Sequence, residues 1–288
     1  MSDPYAIHGR VHLPPEPVVH REDAFASRGL EQLRAMQDRH FWYRGRHRFL
    51  LHAVRRRLGR MGPGAAPRLL DLGGGCGGWL AYWREHSGIE TAEVALADSS
   101  PQALERAAEF LPPEVRLYHA DLLDLKWAGR WDLIFLLDVI EHIDEDARAL
   151  GQIRAALTPG GLVFVTAPAL RAFWSWNDVI SGHRRRYRKA DFRRLAVECG
   201  FELVEARYFL FFLSPLLLAS RLVTDPGPGA IPGERLDGLV EAMHRVPHPV
   251  LNAALGACFW CETPLGHLVP FPWGTSILAV LRKPTGAA

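Results

Sequence analysis

The residues best suited to chemistry lie in one short run, Leu69-Leu70-Asp71-Leu72-Gly73-Gly74-Gly75-Cys76-Gly77-Gly78, where a carboxylate precedes five glycines in six positions. Backbone without side chains lets a ligand come into contact with peptide groups, and packing a helix on a strand needs only one or two such residues. The run therefore points to a bound ligand. Gly73, Gly75 and Gly78 also satisfy the G-x-G-x-x-G spacing of dinucleotide-binding turns, so the glycines alone leave the cofactor open. Asp98 ends the next apolar run, where a carboxylate can accept hydrogen bonds from both hydroxyls of a ribose.

A second group of candidates lies further along. His142 stands just past the fourth apolar run and is the best-placed neutral base for an acceptor hydroxyl; the plainer alternative is a histidine that only bonds its neighbours. Glu141 beside it could orient that ring or line the pocket, or be a solvated carboxylate at a helix start, and is not counted among the catalytic candidates. The segment Ser181-Gly182-His183-Arg184-Arg185-Arg186-Tyr187-Arg188 follows Phe173-Trp174-Ser175-Trp176. His183 is a second candidate catalytic group, and Trp42, Trp176, Arg186 and Tyr187 are candidates for the acceptor surface. Such a patch suits phosphate or carboxylate, against the alternative of a solvated charged loop. Cys258 and Cys261 form a lone C-x-x-C without a second pair, which fits a packed helix better than zinc or redox work, and no metal is expected.

These residues need elements to position them. Seven apolar runs read as strands: Arg68 to Leu72, Ala92 to Asp98, Val115 to Ala120, Asp132 to Leu137, Leu162 to Ala167, Phe201 to Phe209 and Thr275 to Arg282. Helical patterns alternate with the first five, which implies an α/β fold with a mostly parallel sheet. Ser100-Pro101 opens one helix, Gln102 to Phe110, with a capping serine and a proline in the first turn. Gly200 closes another, Asp191 to Cys199. Residues 1 to about 25, with their prolines, read as an extended or partly disordered arm. Helical patterns through Leu30, Leu33 and Met36, and through Phe49 to Leu58, flank the aromatic cluster His40-Phe41-Trp42-Tyr43. The division expected is an arm with lid helices over 1–60, a core over 61–209 and 273–288, and a helical cap inserted at 210–272.

Composition narrows the function classes. The 288 residues are 48% hydrophobic and 23% charged, the range of a folded soluble protein, and a formal charge of +2 gives no basic field for nucleic acid. The charged, proline-containing beginning does not read as a secretory signal, and four scattered cysteines read as thiols, so a cytoplasmic location is expected. Phe209 to Leu218 is apolar but too short to span a bilayer; it reads as a buried cap helix, or as a wall for a lipid-like acceptor or a peripheral membrane contact.

Several separate blocks carry a family resemblance: Asp71 to Gly77, Ala97-Asp98-Ser99, Ala120-Asp121-Leu122, Leu137-Asp138-Val139-Ile140-Glu141-His142 and Leu157-Thr158-Pro159-Gly160-Gly161. In this order they resemble the class I S-adenosylmethionine-dependent methyltransferases, over Leu69 to about Ala167. The resemblance implies a Rossmann-like seven-stranded sheet with an antiparallel last strand, and S-adenosylmethionine as cofactor. It also implies roles: Asp71, Gly73, Gly75 and Gly77 for the methionine part, Asp98 and Ser99 for the ribose, Asp121 for the adenine amino group and Leu122 for the adenine face, with Asp138 completing the pocket. The basic segment and the Phe41-Trp42-Tyr43 and Arg46 segment resemble a bacterial subgroup acting on glycans, lipids or secondary metabolites, which implies that Tyr43 and Arg46 fold over the cofactor. A small-molecule acceptor, lipid-like or anionic, is the expectation. The alternatives are a nicotinamide-dependent oxidoreductase and a scaffold that keeps the fold without catalysis.

Overall fold

The computed structural model describes residues 3–18, 36–59, 66–224 and 245–286. Its centre is a sheet of β1 (Ala6–His8), β2 (Val11–Leu13), β3 (Arg68–Leu72), β4 (Glu93–Asp98), β5 (Arg116–His119), β6 (Trp131–Leu137), β7 (Leu157–Pro168), β8 (Glu202–Phe209) and β9 (Ser276–Arg282). The strand order is β1-β2-β5-β4-β3-β6-β7-β9-β8. Strands β2 to β7 pair in parallel, while β9 runs antiparallel between β7 and β8. The aliphatic runs make this arrangement possible because both faces of the central strands are covered. Leu70, Leu72, Ile134, Leu136, Val163 and Val165 pack into one layer, and Leu69, Leu133, Phe135, Leu162 and Phe164 into the other. Successive side chains of each strand go to opposite faces.

The helices between strands are α2 (Gly78–His86), α3 (Pro101–Phe110) and α4 (Asp146–Ala156), followed by the short α5 (Trp176–Ile180) and α6 (Lys189–Glu198). Ser100 caps α3 as its sequence implies, its hydroxyl accepting from the Ala103 amide at 3.2 Å. Gly200 takes φ of 68° past the end of α6.

Three expectations are corrected. The sheet has nine described strands instead of seven, because residues read as an extended or partly disordered arm form a hairpin that pairs with β5. Three-residue strands among prolines are too short to show alternation. The Tyr5 ring, 4.6 Å from that of Trp127 and 5.2 Å from that of Tyr118, and the Tyr118 hydroxyl donating to Asp3 at 2.6 Å pin the hairpin down. The aromatic cluster, expected between two helical patterns, belongs largely to the second: Phe41, Trp42 and Tyr43 form the first turn of α1 (Phe41–Leu58), with the His40 ring accepting from the Trp42 amide at 3.1 Å. Met36 is buried in the helical stretch 36–39, while Leu30 and Leu33 lie outside the described residues. Strand β7 starts at Leu157, five residues before the expected Leu162, because Leu157 already pairs with Trp131.

Between β8 and β9 lie α7 (Ser214–Thr224) and α8 (Pro249–Leu268); the Pro/Gly cluster at 225–233 is outside the described residues. Helix α8 packs on α1. A Cβ on Gly45 would sit 2.0 Å from the Phe259 ring, so only glycine admits this approach. Asn252 accepts from the Phe41 amide at 2.9 Å and donates to the Arg39 carbonyl at 2.8 Å, satisfying backbone groups at the start of α1. Among the described residues no helix is long and apolar enough to cross a membrane.

Candidate active site

The candidate site is built on the carboxyl edge of the parallel strands. From β3 the chain turns at Gly73, whose amide donates to the Ala97 carbonyl at 2.7 Å and ties the ends of β3 and β4 together. Gly73, Gly75 and Gly77 all have positive φ, and at Gly73 a Cβ would also lie 2.6 Å from Val139. Gly77, at φ 79°, is the N-cap of α2. The turn then meets Asp98: Gly75 N–H donates to Asp98 Oδ2 at 2.9 Å and Ser100 N–H to Oδ1 at 2.8 Å. Two backbone amides thus fix one carboxylate at the strand edge. Ser99 is half-buried, and its carbonyl accepts from the His119 ring at 3.0 Å.

Asp71 sits beneath this turn. It is 1% exposed, and its Oδ2 has no hydrogen-bond partner. Burial pushes its carboxyl up to about 7, opposed by the charge of Arg46 and reinforced by that of Asp98. A side chain at Gly74 would come within 2.7 Å of that oxygen, so glycine keeps the space beside it open. A buried lone acceptor next to an open backbone cradle fits a ligand that brings a cationic donor, such as the α-ammonium of a methionine moiety.

Arg46 reaches this edge from α1. It is 5% exposed, is ion-paired to Asp138 and lies 4.9 Å from the Trp42 ring centre and 5.3 Å from that of Tyr43. Asp138, in the left-handed region at φ 55°, also accepts from the Thr166 hydroxyl at 3.2 Å. Burial raises the Tyr43 hydroxyl to about 12, so it stays protonated. Trp42, Tyr43, Arg46 and Asp138 are therefore one cluster, joined to Asp71 through the field of Arg46. Asp121 lies further along, its Oδ1 accepting from the Leu123 amide at 2.9 Å, in a crevice against Pro14, Glu16, Pro17 and Val18. Leu122 is 8% exposed and packed into the core.

The acceptor candidates separate into two groups. His142 ends a short turn, Ile140–His142, and its ring lies 5.0 Å from that of His183 in an edge-on arrangement. Arg186 and Tyr187, expected on the acceptor surface, are instead turned inward. Arg186 forks onto Asp178 at 2.7 and 3.0 Å and onto the Ala169 carbonyl at 3.1 Å; the Tyr187 hydroxyl donates toward Asp146 at 3.1 Å and Ile140 O at 3.2 Å. Their charge and aromatic area hold the 169–188 segment against the sheet. Trp176 is half-buried at the start of α5.

Two residues central to this lattice were not among the expected site residues. Asp178 is fully buried; although burial pushes its carboxyl up, bonds from His183 and Arg186 hold it down to about 2. The spacing Ser175-x-x-Asp178 is that of a capping box and was the available signal; Asp178 accepts from the Ser175 amide at 2.8 Å. Glu141 is the other: it is fully buried, and burial, with Asp138 adding to it, pushes its carboxyl well above the usual range. Nothing local in the sequence distinguishes it from a solvated glutamate.

A family model described as a methyltransferase domain matches residues 41–206. Solved structures share the fold. A protein assigned as a methyltransferase, solved in complex with the Haloferax volcanii Trm112 methyltransferase activator, has a TM-score of 0.56 at 19% identity, over 92% of this chain and 99% of that one. Haemonchus contortus phosphoethanolamine N-methyltransferase 2, solved with phosphomonomethylethanolamine and S-adenosylhomocysteine, has 0.55 at 19%, over 94% of this chain and 62% of that one. A structure assigned as a sarcosine dimethylglycine methyltransferase of Galdieria sulphuraria has 0.53 at 16%, over 83% and 86%. The glycine spacing that also suited a nicotinamide cofactor is thereby resolved, since the matching domain takes in the turn and every block after it: the chain belongs to the class I S-adenosylmethionine-dependent methyltransferases.

Proposed function

We propose that this enzyme methylates a small molecule, lipid-like or anionic, in the cytoplasm, and that the cofactor lies across the carboxyl edge between the glycine turn and Arg46. The observation that carries the placement is Asp98, presented at the strand edge by the amides of Gly75 and Ser100. Asp98 and Ser99 would hold the ribose. Asp71, with the turn at Gly73, Gly75 and Gly77, would hold the methionine part, Asp121 and Leu122 the adenine, and Asp138, Tyr43 and Arg46 would close the pocket. Four cysteines without disulfides suit a reducing compartment.

S-adenosylmethionine supplies an electrophilic methyl group on a sulfonium, so the residues mainly have to align an acceptor in line with it and keep water out. Arg46, stacked near the Trp42 and Tyr43 rings on α1, would with them cover the pocket and exclude solvent. His142 or His183 would take the proton of a hydroxyl acceptor. Trp176 and the exposed apolar residues Leu216, Val250 and Trp260 of α5, α7 and α8 suit a lipid-like acceptor.

Titrating the protein with S-adenosylhomocysteine tests the placement. Saturable binding is expected, weakened by about 1 to 3 kcal/mol in Asp98→Ala, which removes charge-assisted bonds to ribose. An unchanged dissociation constant would remove Asp98 from the site, and no binding at all would remove the site.

A further inference from the structure

Where the chain leaves β6, a buried carboxyl group and an imidazole nitrogen face each other without a hydrogen bond between them. Glu141 is fully buried, and neither of its carboxylate oxygens has a hydrogen-bond partner. His183 Nε2 lies 3.9 Å from Glu141 Oε1, while Nδ1 on the far side of the same ring is 2.9 Å from Asp178 Oδ1. Asp178 is an ionised carboxylate forked by Arg186, so it fixes the proton on Nδ1 and leaves the Nε2 lone pair turned toward Glu141. One ligating atom from each of Glu141, His142 and His183 falls within 4.8 Å of the other two. A buried carboxylate without donors is costly unless a positive charge meets it.

We propose that Glu141, His142 and His183 bind a divalent cation of the zinc, manganese or ferrous-iron class. Two imidazoles and one carboxylate suit these borderline ions, whereas magnesium and calcium favour all-oxygen sets. Asp178 takes the part of the outer carboxylate that orients a ligating histidine. Three protein ligands leave a position for water or for an oxygen of the acceptor, which makes the site a selector for acceptors with a metal-binding oxygen. His142 and His183 each offer one lone pair to this site, so with the cation bound both serve as ligands and not as proton acceptors. The departure from the sequence expectation of no metal arises because the three ligands are split between 141–142 and 183, a spacing without a local signature.

The test uses full-length protein stripped with a chelator and titrated with cobaltous ion, read by its visible d–d bands, and with zinc, read by calorimetry. One equivalent should bind. Glu141→Gln keeps the size and polarity of the buried side chain and is not expected to unfold the chain, but it cannot become a carboxylate ligand; it should weaken binding at least tenfold, and Asp178→Asn by about tenfold. The double variant Cys258→Ser, Cys261→Ser should bind as the parent does, since those thiols lie outside the site. Absence of d–d bands and heat at millimolar metal, in protein that still binds S-adenosylhomocysteine, overturns the cation site while leaving the cofactor placement intact. Equal affinity in Glu141→Gln, with circular dichroism matching the parent, overturns it too. Metal binding in protein that ignores S-adenosylhomocysteine would separate the two conclusions the other way.

Discussion

The two halves of the strand edge hold their carboxylates by different means. On the β3–β4 side, Asp98 is gripped by the backbone amides of Gly75 and Ser100. On the β6–α6 side, Asp178 is gripped chiefly by side chains, Arg186 and His183. Backbone amides persist through side-chain changes that leave the turn's conformation intact, so the first arrangement depends on the shape of the glycine turn and not on a partner side chain. The second fails with any one member, because each loss leaves another group buried without a counterpart.

Asp178→Ala should therefore show the largest effect, a loss of about 3 to 5 kcal/mol in urea unfolding, since the Arg186 guanidinium stays buried without its partner. A loss below about 1 kcal/mol would erase the contrast. Next comes Asp71, raised from an ordinary 3.8 to about 7 by burial, against Arg46 and with Asp98. The folded state holds this proton more tightly than the unfolded one, so its stabilisation is complete below about pH 4 and is lost as pH rises through about 7, with a ceiling of about 4 kcal/mol. Unfolding midpoints measured from acid to neutral pH should fall across that window in the parent and stay flatter in Asp71→Asn; parallel curves would place the titration elsewhere. The smallest effect belongs to Ser100→Ala, which removes the α3 cap and about 1 kcal/mol of stability but leaves the Ser100 amide on Asp98. Affinity for S-adenosylhomocysteine should stay at the parent value, and a tenfold loss would show that the side chain, not the amide, presents Asp98.

The same contrast explains what the sequence disclosed. A glycine turn, a capping serine and a strand-end aspartate are contiguous and have few conformations open to them, so Asp71, Gly73, Gly75, Gly77, Asp98 and Ser100 could be placed from residue types alone. The central strands could be placed too, because double burial demands unbroken aliphatic runs such as Leu133 to Leu137. Arg186 and Tyr187 misled because an arginine-rich segment looks the same whether its charges meet solvent or a buried aspartate eight residues earlier. Glu141 became visible only once β6 and the 169–188 segment had been brought together. The N-terminal hairpin escaped for the opposite reason: its hold on the sheet rests on Tyr5 and Asp3 meeting residues more than 100 positions away.

That hairpin has a use unrelated to catalysis. Without it, β5 would present an open row of peptide groups, an invitation to strand exchange with another molecule. β1, three residues long and followed at once by a glycine turn with φ of 63°, offers almost nothing to continue the ladder, so the hairpin works as a stopper against self-association.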